Sequence, residues 1–321
     1  MKEENRTNRR SRGGFFLLPV FIGILLLAGG YALGGRFYTV VRFNEPPTAP
    51  TPPQVVGFGD FSRGFASQEI ENLSVYLEVG TLTIFPGEDF YVTATNLPLD
   101  ADGYSFTCEE RGGELRINLR LPEGWLNQFR ALTDNWDIKG PEIVLTVPEY
   151  FIADRADISV VAGKCLVNQL RADTIYIDLS AGELNLSNLS AEDITVNIAA
   201  GSCTIYNLYG TNVQLLLRTG ELRLWDSVAE RLTASVDVGS LYMSGQINDY
   251  GSFTCTLGSI DVELEGNPGD YGINLTTSLG TVYLDGERYN GGVSKYIPGY
   301  GNAPQIDLSC DIGEIKCNFT R

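Results

Sequence analysis

The chain has 321 residues, no histidine, six cysteines and a formal net charge of −17. The missing histidine excludes histidine-based triads and histidine zinc sites. The first 36 residues carry +4 and the remainder −21, a balance that argues against a nucleic-acid partner and against lying flat on anionic lipid.

Residues 1–13 form a basic tail with Lys2, Arg6, Arg9, Arg10 and Arg12. Residues 14–35 are uncharged and mostly apolar, long enough to span ~30 Å of hydrocarbon as a transmembrane helix. The basic flank comes first, which predicts a cytoplasmic N-terminus, a single pass through the cell membrane and an extracytoplasmic remainder. A cleaved signal peptide is the alternative, although its apolar core is usually about 7–15 residues. Residues 36–55 contain Pro46, Pro47, Pro50, Pro52 and Pro53 and read as a stiff spacer rising ~3.1 Å per residue.

Residues 56–150 are strand-like but irregular. Leu73, Val75, Leu77, Gly80, Leu82 and Ile84 alternate around a glycine. Ser105–Glu110 and Glu114–Leu121 flank Arg111-Gly112-Gly113, a hairpin signal. Gly124–Lys139 breaks the alternation as a short helix or a loop, and Glu142–Val147 is a further strand. The region reads as wide coils or as an antiparallel cap over a sheet edge.

Residues 151–321 repeat. Glycines stand at 163, 182, 201, 220, 239 and 258, nineteen residues apart, with Gly280 and Gly313 at wider spacing. Numbering each copy from its glycine, positions −7, −5, −3, +2 and +4 share one face if both flanks are strands. Over the six even copies 29 of these 30 residues are apolar, Gly251 being the exception, whereas −6, −4, +1, +3 and +5 hold only 6 apolar residues of 30. A helix would mix the two sets. The fold class is therefore all-β: a β-solenoid of two-strand coils stacked at ~4.8 Å, with a β-sandwich of hairpins as the competitor. The glycine marks a turn with φ > 0 or a bulge, and a second corner falls in polar stretches such as Asn188–Asp193. Gly286–Gln305 reads as a Gly/Tyr/Pro loop interrupting the last copies.

Five of the six cysteines take inward slots: Cys165 and Cys203 at +2, Cys255 and Cys310 at −3, and Cys317 at +4. There they act as small apolar fillers. Cys310 and Cys317 face each other across one coil and are the only candidate pair for a disulfide; Cys108 has no evident partner. Scattered outward acids, with no recurring calcium-loop spacing, imply no metal and no cofactor.

The order of segments resembles a bacterial β-strand-repeat family labelled "putative adhesin", a domain of unknown function. The resemblance rests on ENLSVYLEVGTLTI, a hairpin, IVLTVP, coils of the ITVNIAAGSCTI and FTCTLGSIDV type, and a closing IDLSCDIGEIKC. It covers about residues 70–321 and implies the stacked β fold, with no site residues to carry over.

The expected function is a non-catalytic, surface-anchored interaction module whose partner is an envelope glycan or a surface protein. Two alternatives are an envelope-stress sensor, which would need a membrane partner for its short tail, and a carbohydrate-active enzyme. The enzyme would need paired carboxylates, and the outward acids Asp178, Glu183 and Glu221 sit at different coil positions. Tyr206 and Trp225 both occupy +5 in successive coils, with Arg223 and Tyr242 at +3 beside them. Such a strip suits a sugar ring or a protein partner, or is ordinary cross-strand packing.

Overall fold

The computed structural model describes residues 58–66, 69–98, 104–121 and 140–320. The expected tail, membrane span and proline-rich spacer lie outside these residues, as does the Gly124–Lys139 stretch. Among the described residues no helix is long and apolar enough to cross a membrane.

The centre is β7 (Ala153–Glu265), 113 residues of continuous strand that turns at regular corners. A Cβ placed on Gly182 would stand 1.8 Å from the Gly163 carbonyl oxygen, and one on Gly220 would stand 1.7 Å from that of Gly201. The chain thus returns on itself every nineteen residues, one rung per return. The six glycines have φ between +138° and +145°. Conformation and close approach both demand glycine, which favours the turn over the bulge.

Alternation does the rest. Ile175, Ile177, Leu179, Leu184 and Leu186 are all buried, as are the equivalent residues of the other rungs. Gly251 leaves a gap on the inward face, and Ile306 and Phe253 close it, with Ile306 Cδ1 3.0 Å from where its Cβ would be.

The second corner is a column of left-handed residues: Gln169 (φ 81°), Asn188 (54°), Asn207 (53°) and Asp226 (50°). Asparagine and aspartate tolerate this region better than other side-chain-bearing residues. Side-chain bonds support part of it: Asn207 Nδ2 donates to Asn188 Oδ1 at 3.1 Å, and Asn188 Nδ2 to Oδ1 of Asn168, the residue before Gln169, at 3.3 Å. Beside it Leu170, Leu189 and Leu208 form a further buried column, in which Ser227 is the fourth member and satisfies its hydroxyl on the Trp225 carbonyl.

At both ends spatial order departs from chain order. The N-terminal strands are β1 (Phe58–Phe65), β2 (Asn72–Gly87), β3 (Phe90–Pro98), β4 (Ser105–Arg111), β5 (Glu114–Arg120) and β6 (Glu142–Pro148). β2 pairs in parallel with the first rung of β7 on one side, and with β5 and β6 on the other. β4 then covers β5, β3 covers β6 and β1 covers β3, all antiparallel. The expected hairpin is β4–β5, and the region combines both expectations: parallel rungs and an antiparallel cap.

After β7 come β8 (Gly272–Leu284), β9 (Glu287–Asn290), β10 (Val293–Ile297) and β11 (Gln305–Thr320). β11 inserts between the last rung of β7 and β8, parallel to both. Gly313 therefore stacks on Gly258, and Gly280 on Gly313. The expected loop Gly286–Gln305 is a correction: much of it is β9 and β10, laid antiparallel on β8. None of their side chains is fully buried, and the alternation of β10, with Val293 and Ile297 against the core, is short and carries Lys295 on its inward side.

The cysteine expectation also needs correction. All six are free and buried. Cys317 has Val262 and Leu284 beside it in the ladder, while Cys310 sits directly opposite Cys255. Within one rung Cys310 and Cys317 lie on opposite flanks of the glycine corner; the nearest ladder neighbour belongs to the adjacent rung, ~4.8 Å away.

Candidate functional site

The outward face after the glycine corner carries positions +1, +3 and +5 of every rung. On it the structure brings three of the four expected residues into one aromatic ladder. Tyr206 and Trp225 stack with centroids 6.4 Å apart and planes 11° from parallel. Trp225 and Tyr242 meet at 4.3 Å, tilted by 41°. Column spacing alone accounts for the first pair. The second is a diagonal contact from +5 to +3, within reach because the rings are large.

The fourth residue has a partner of its own. Arg223 Nη2 pairs with Glu221 Oε1 at 2.5 Å within its own strand, and Ser240 Oγ reaches the same oxygen at 3.5 Å. Tyr242 Oη donates to Glu263 Oε2 at 3.0 Å. Burial first, and then this bond, push the Tyr242 phenol above its ordinary value, so it remains a neutral donor. Tyr206 is 48 % exposed, and Trp225 and Tyr242 are half-buried. The ladder is thus a raised apolar strip fixed at one end by a phenol–carboxylate bond, not a pocket. The open depressions of the surface are lined elsewhere, for example by Gly87, Glu88 and Pro148–Phe151.

The acids weighed for catalysis do not converge. Glu183 is engaged by Lys164 at 2.9 Å and by Asn185, which hold its carboxyl below the ordinary range. Glu221 is two rungs away with Arg223, and Asp178 lies on the face before the corner, beside Asn197 and Arg218. Among the described residues no three carboxylates or thiols are grouped to hold a metal ion.

One surface feature escapes the alternation argument. Position −1 falls at the corner itself, neither inward nor plainly outward. Along successive rungs it reads Val238, Leu257, Ile312 and Leu279, with exposures of 37, 38, 48 and 64 %. Ile312 lies directly between Leu257 and Leu279 in the ladder. The signal was available as an apolar run at one fixed position, but its continuity depends on knowing that Ile312 precedes Leu279 in space.

No curated protein matches the sequence. A solved structure titled "putative adhesin" from Parabacteroides distasonis aligns over 83 % of this chain and 98 % of its own, at 10 % identity and a TM-score of 0.42. One with the same title from Bacteroides fragilis aligns over 81 % and 97 %, at 10 % identity and 0.33. A third, titled "Putative lipid binding protein", from Parabacteroides distasonis, aligns over 82 % and 97 %, at 13 % identity and 0.30. The sequence model of the Toastrack DUF4097 family matches residues 70–303, from just before β2 to just before β11, and the chain belongs to that family.

Proposed function

We propose that this protein is a membrane-anchored, extracytoplasmic β-solenoid that acts without catalysis as an adhesin-like interaction module. Its partner is an envelope glycan or a surface protein. The observation that carries this reading is the ladder Tyr206–Trp225–Tyr242, three rings in contact along one outward face. Sugar rings and protein surfaces both dock on such strips through stacking and apolar contact. The apolar, uncharged residues 14–35 and the proline-rich 36–55 support the anchored placement. The basic flank ahead of them supports the outward orientation.

Two experiments test it. Full-length protein is co-sedimented with purified cell-wall material and with immobilised surface proteins, against Trp225→Ala, Tyr206→Ala and Leu257→Ser. The ring variants should lose about tenfold or more in binding with little change in thermal midpoint, while Leu257→Ser binds normally. Ring variants that bind like the parent overturn the ladder as the site; a loss confined to Leu257→Ser moves it to the aliphatic column. Protease added to intact, wall-stripped cells should remove residues 37–321 and leave a small membrane fragment. Full protection overturns the placement.

A further inference from the structure

β11 is the last of the described strands, and both walls of the slot it fills precede it in sequence. Two thiols meet in that slot. Cys310 stands directly opposite Cys255 in parallel register, and both are buried. Cys255 Sγ lies 3.7 Å from the Gly239 carbonyl oxygen and Cys310 Sγ 3.7 Å from that of Gly258. Each sulfur therefore takes the same position relative to the glycine of the rung beneath, and both side chains leave the backbone in the same direction. Neighbouring strands put the two Cα atoms ~4.8 Å apart, within the ~4.4–6.8 Å that a disulfide spans. The other cysteines lack such a neighbour. Leu184 separates Cys165 from Cys203 in their column, Cys317 lies between Val262 and Leu284, and Cys108 faces Ile117.

We propose that Cys255 and Cys310 are a disulfide site, closed by a small-molecule disulfide or a disulfide oxidoreductase as β11 seats, and that the bridge clasps the last strand into the stack. Its occurrence in the cell rests on the extracytoplasmic placement proposed above, because the cytosol keeps thiols reduced. Its chemistry does not.

Before β11 seats, Cys255 lines the open end of the core. Its thiolate attacks one sulfur of a disulfide such as glutathione disulfide, and one glutathione leaves. Cys310 then attacks the Cys255 sulfur of the mixed disulfide, and the second glutathione leaves. The two thiol protons end on the two released glutathiones, and the two electrons given up by the cysteines reduce the oxidant. Once closed, the bridge is shielded by the core from reductants in solution.

The test uses full-length protein, unfolded and refolded with reduced and oxidised glutathione, then alkylated under denaturing conditions and mapped by mass spectrometry. The expected product is one linked peptide pair joining Cys255 to Cys310, with Cys108, Cys165, Cys203 and Cys317 alkylated. Amide exchange across residues 305–320 should slow by about tenfold or more relative to the reduced protein. Cys255→Ala and Cys310→Ser should each abolish both effects. Should either variant fail to fold, the parent peptide map decides alone. Six alkylated thiols, a bridge to Cys317, or glutathione left on Cys310 overturns the proposal. Acid-trapped protein from cells reports the compartment separately: a pair that closes in vitro yet stays open in cells supports the site and counts against the extracytoplasmic placement.

Discussion

The two ends of the stack meet one problem with different arrangements of chain. A terminal rung exposes an unpaired edge that invites association with another sheet. At the far end the terminal rung is continuous: β8 runs through Gly280 and is covered by β10 on its first half and β9 on its second. At the near end the terminal rung is split. β5 and β6 form its two halves, covered by β4 and β3, and the place of a corner glycine beside Gly80 is taken by the Pro141 carbonyl. The shared device is interleaving. In each case the second rung from the end, β2 or β11, is held between parallel neighbours on both sides. A strand placed there cannot peel away without breaking two ladders. A strictly sequential stack would leave its last strand with one.

The sharpest way to break this comparison is to remove β11. Deleting residues 305–321 takes away the buried side chains Ile306, Leu308, Cys310, Ile315 and Cys317. At ~1.5–3 kcal/mol for each large apolar side chain the loss is on the order of 10 kcal/mol, comparable with the whole stability of a domain. Hydrogen exchange should show residues 248–297 unprotected while the rungs of Gly182 and Gly201 stay protected. Retained protection in β8 would mean that interleaving does not hold the far end. Removing β1, which pairs only with the outer side of β3, should leave the stack protected.

The corner glycines come next. Gly220→Ala places a Cβ 1.7 Å from a backbone oxygen at φ +138°, and should cost more than about 3 kcal/mol. Ser202→Ala, on the outward face, should stay within about 0.5 kcal/mol. Gly80→Ala meets the Pro141 carbonyl at 2.3 Å, a looser contact at the split end. It should cost roughly 1 kcal/mol less than Gly220→Ala. Denaturant midpoints for the three variants check the order, and equal costs for Gly80 and Gly220 would erase the contrast between end and middle.

What the sequence made legible follows from what is local. Period two within a strand and period nineteen between rungs both reside in neighbouring residues, so the buried columns and the glycine corners could be read directly. The ends could not. Gly280 and Gly313 look like sequential copies, and nothing in residues 285–304 states that the chain passes over an empty slot and returns to fill it. β9 and β10 escaped because they are only four and five residues long and the inward side of β10 carries Lys295 between Val293 and Ile297. In the candidate site the Tyr206–Trp225 stack was visible as a shared column, whereas Tyr242 joins by a diagonal contact. The engagement of Arg223 with Glu221, two positions earlier in the same strand, is a matter of side-chain geometry that the alternation does not state.

Smaller effects test the second corner. Asn207 adopts φ 53° and bonds to Asn188. Alanine there should cost about 1–2 kcal/mol from the left-handed backbone. Gln169 occupies the same column, with φ 81°, at the junction with the irregular end, where Asn should stabilise by about 0.5 kcal/mol. Urea midpoints measure both, and a loss for Gln169→Asn would assign its value to the bond it donates to the Glu149 carbonyl rather than to its backbone.

The smallest effect lies on the outward face near the inserted strand. Asp261 faces Lys316 of β11 in register, yet its Oδ1 is buried with no hydrogen-bond partner among the protein groups around it. Burial raises its carboxyl above the ordinary value; Lys316 opposes this, while Glu263 and Glu314 reinforce it. A folded carboxyl with a raised pKa binds its proton more tightly than the unfolded chain does. Ionisation therefore disfavours folding, and stability falls as pH rises from the unfolded value, ~3.9, through the higher folded one. Asp261→Asn removes that term. Solvent screening at a partly exposed site limits the gain to a few tenths of a kcal/mol. The difference between variant and parent should be largest at neutral pH and vanish below the unfolded carboxyl range. Paired urea titrations across this range read it out, and a variant equally or less stable than the parent at neutral pH would mean that the Lys316 attraction outweighs burial.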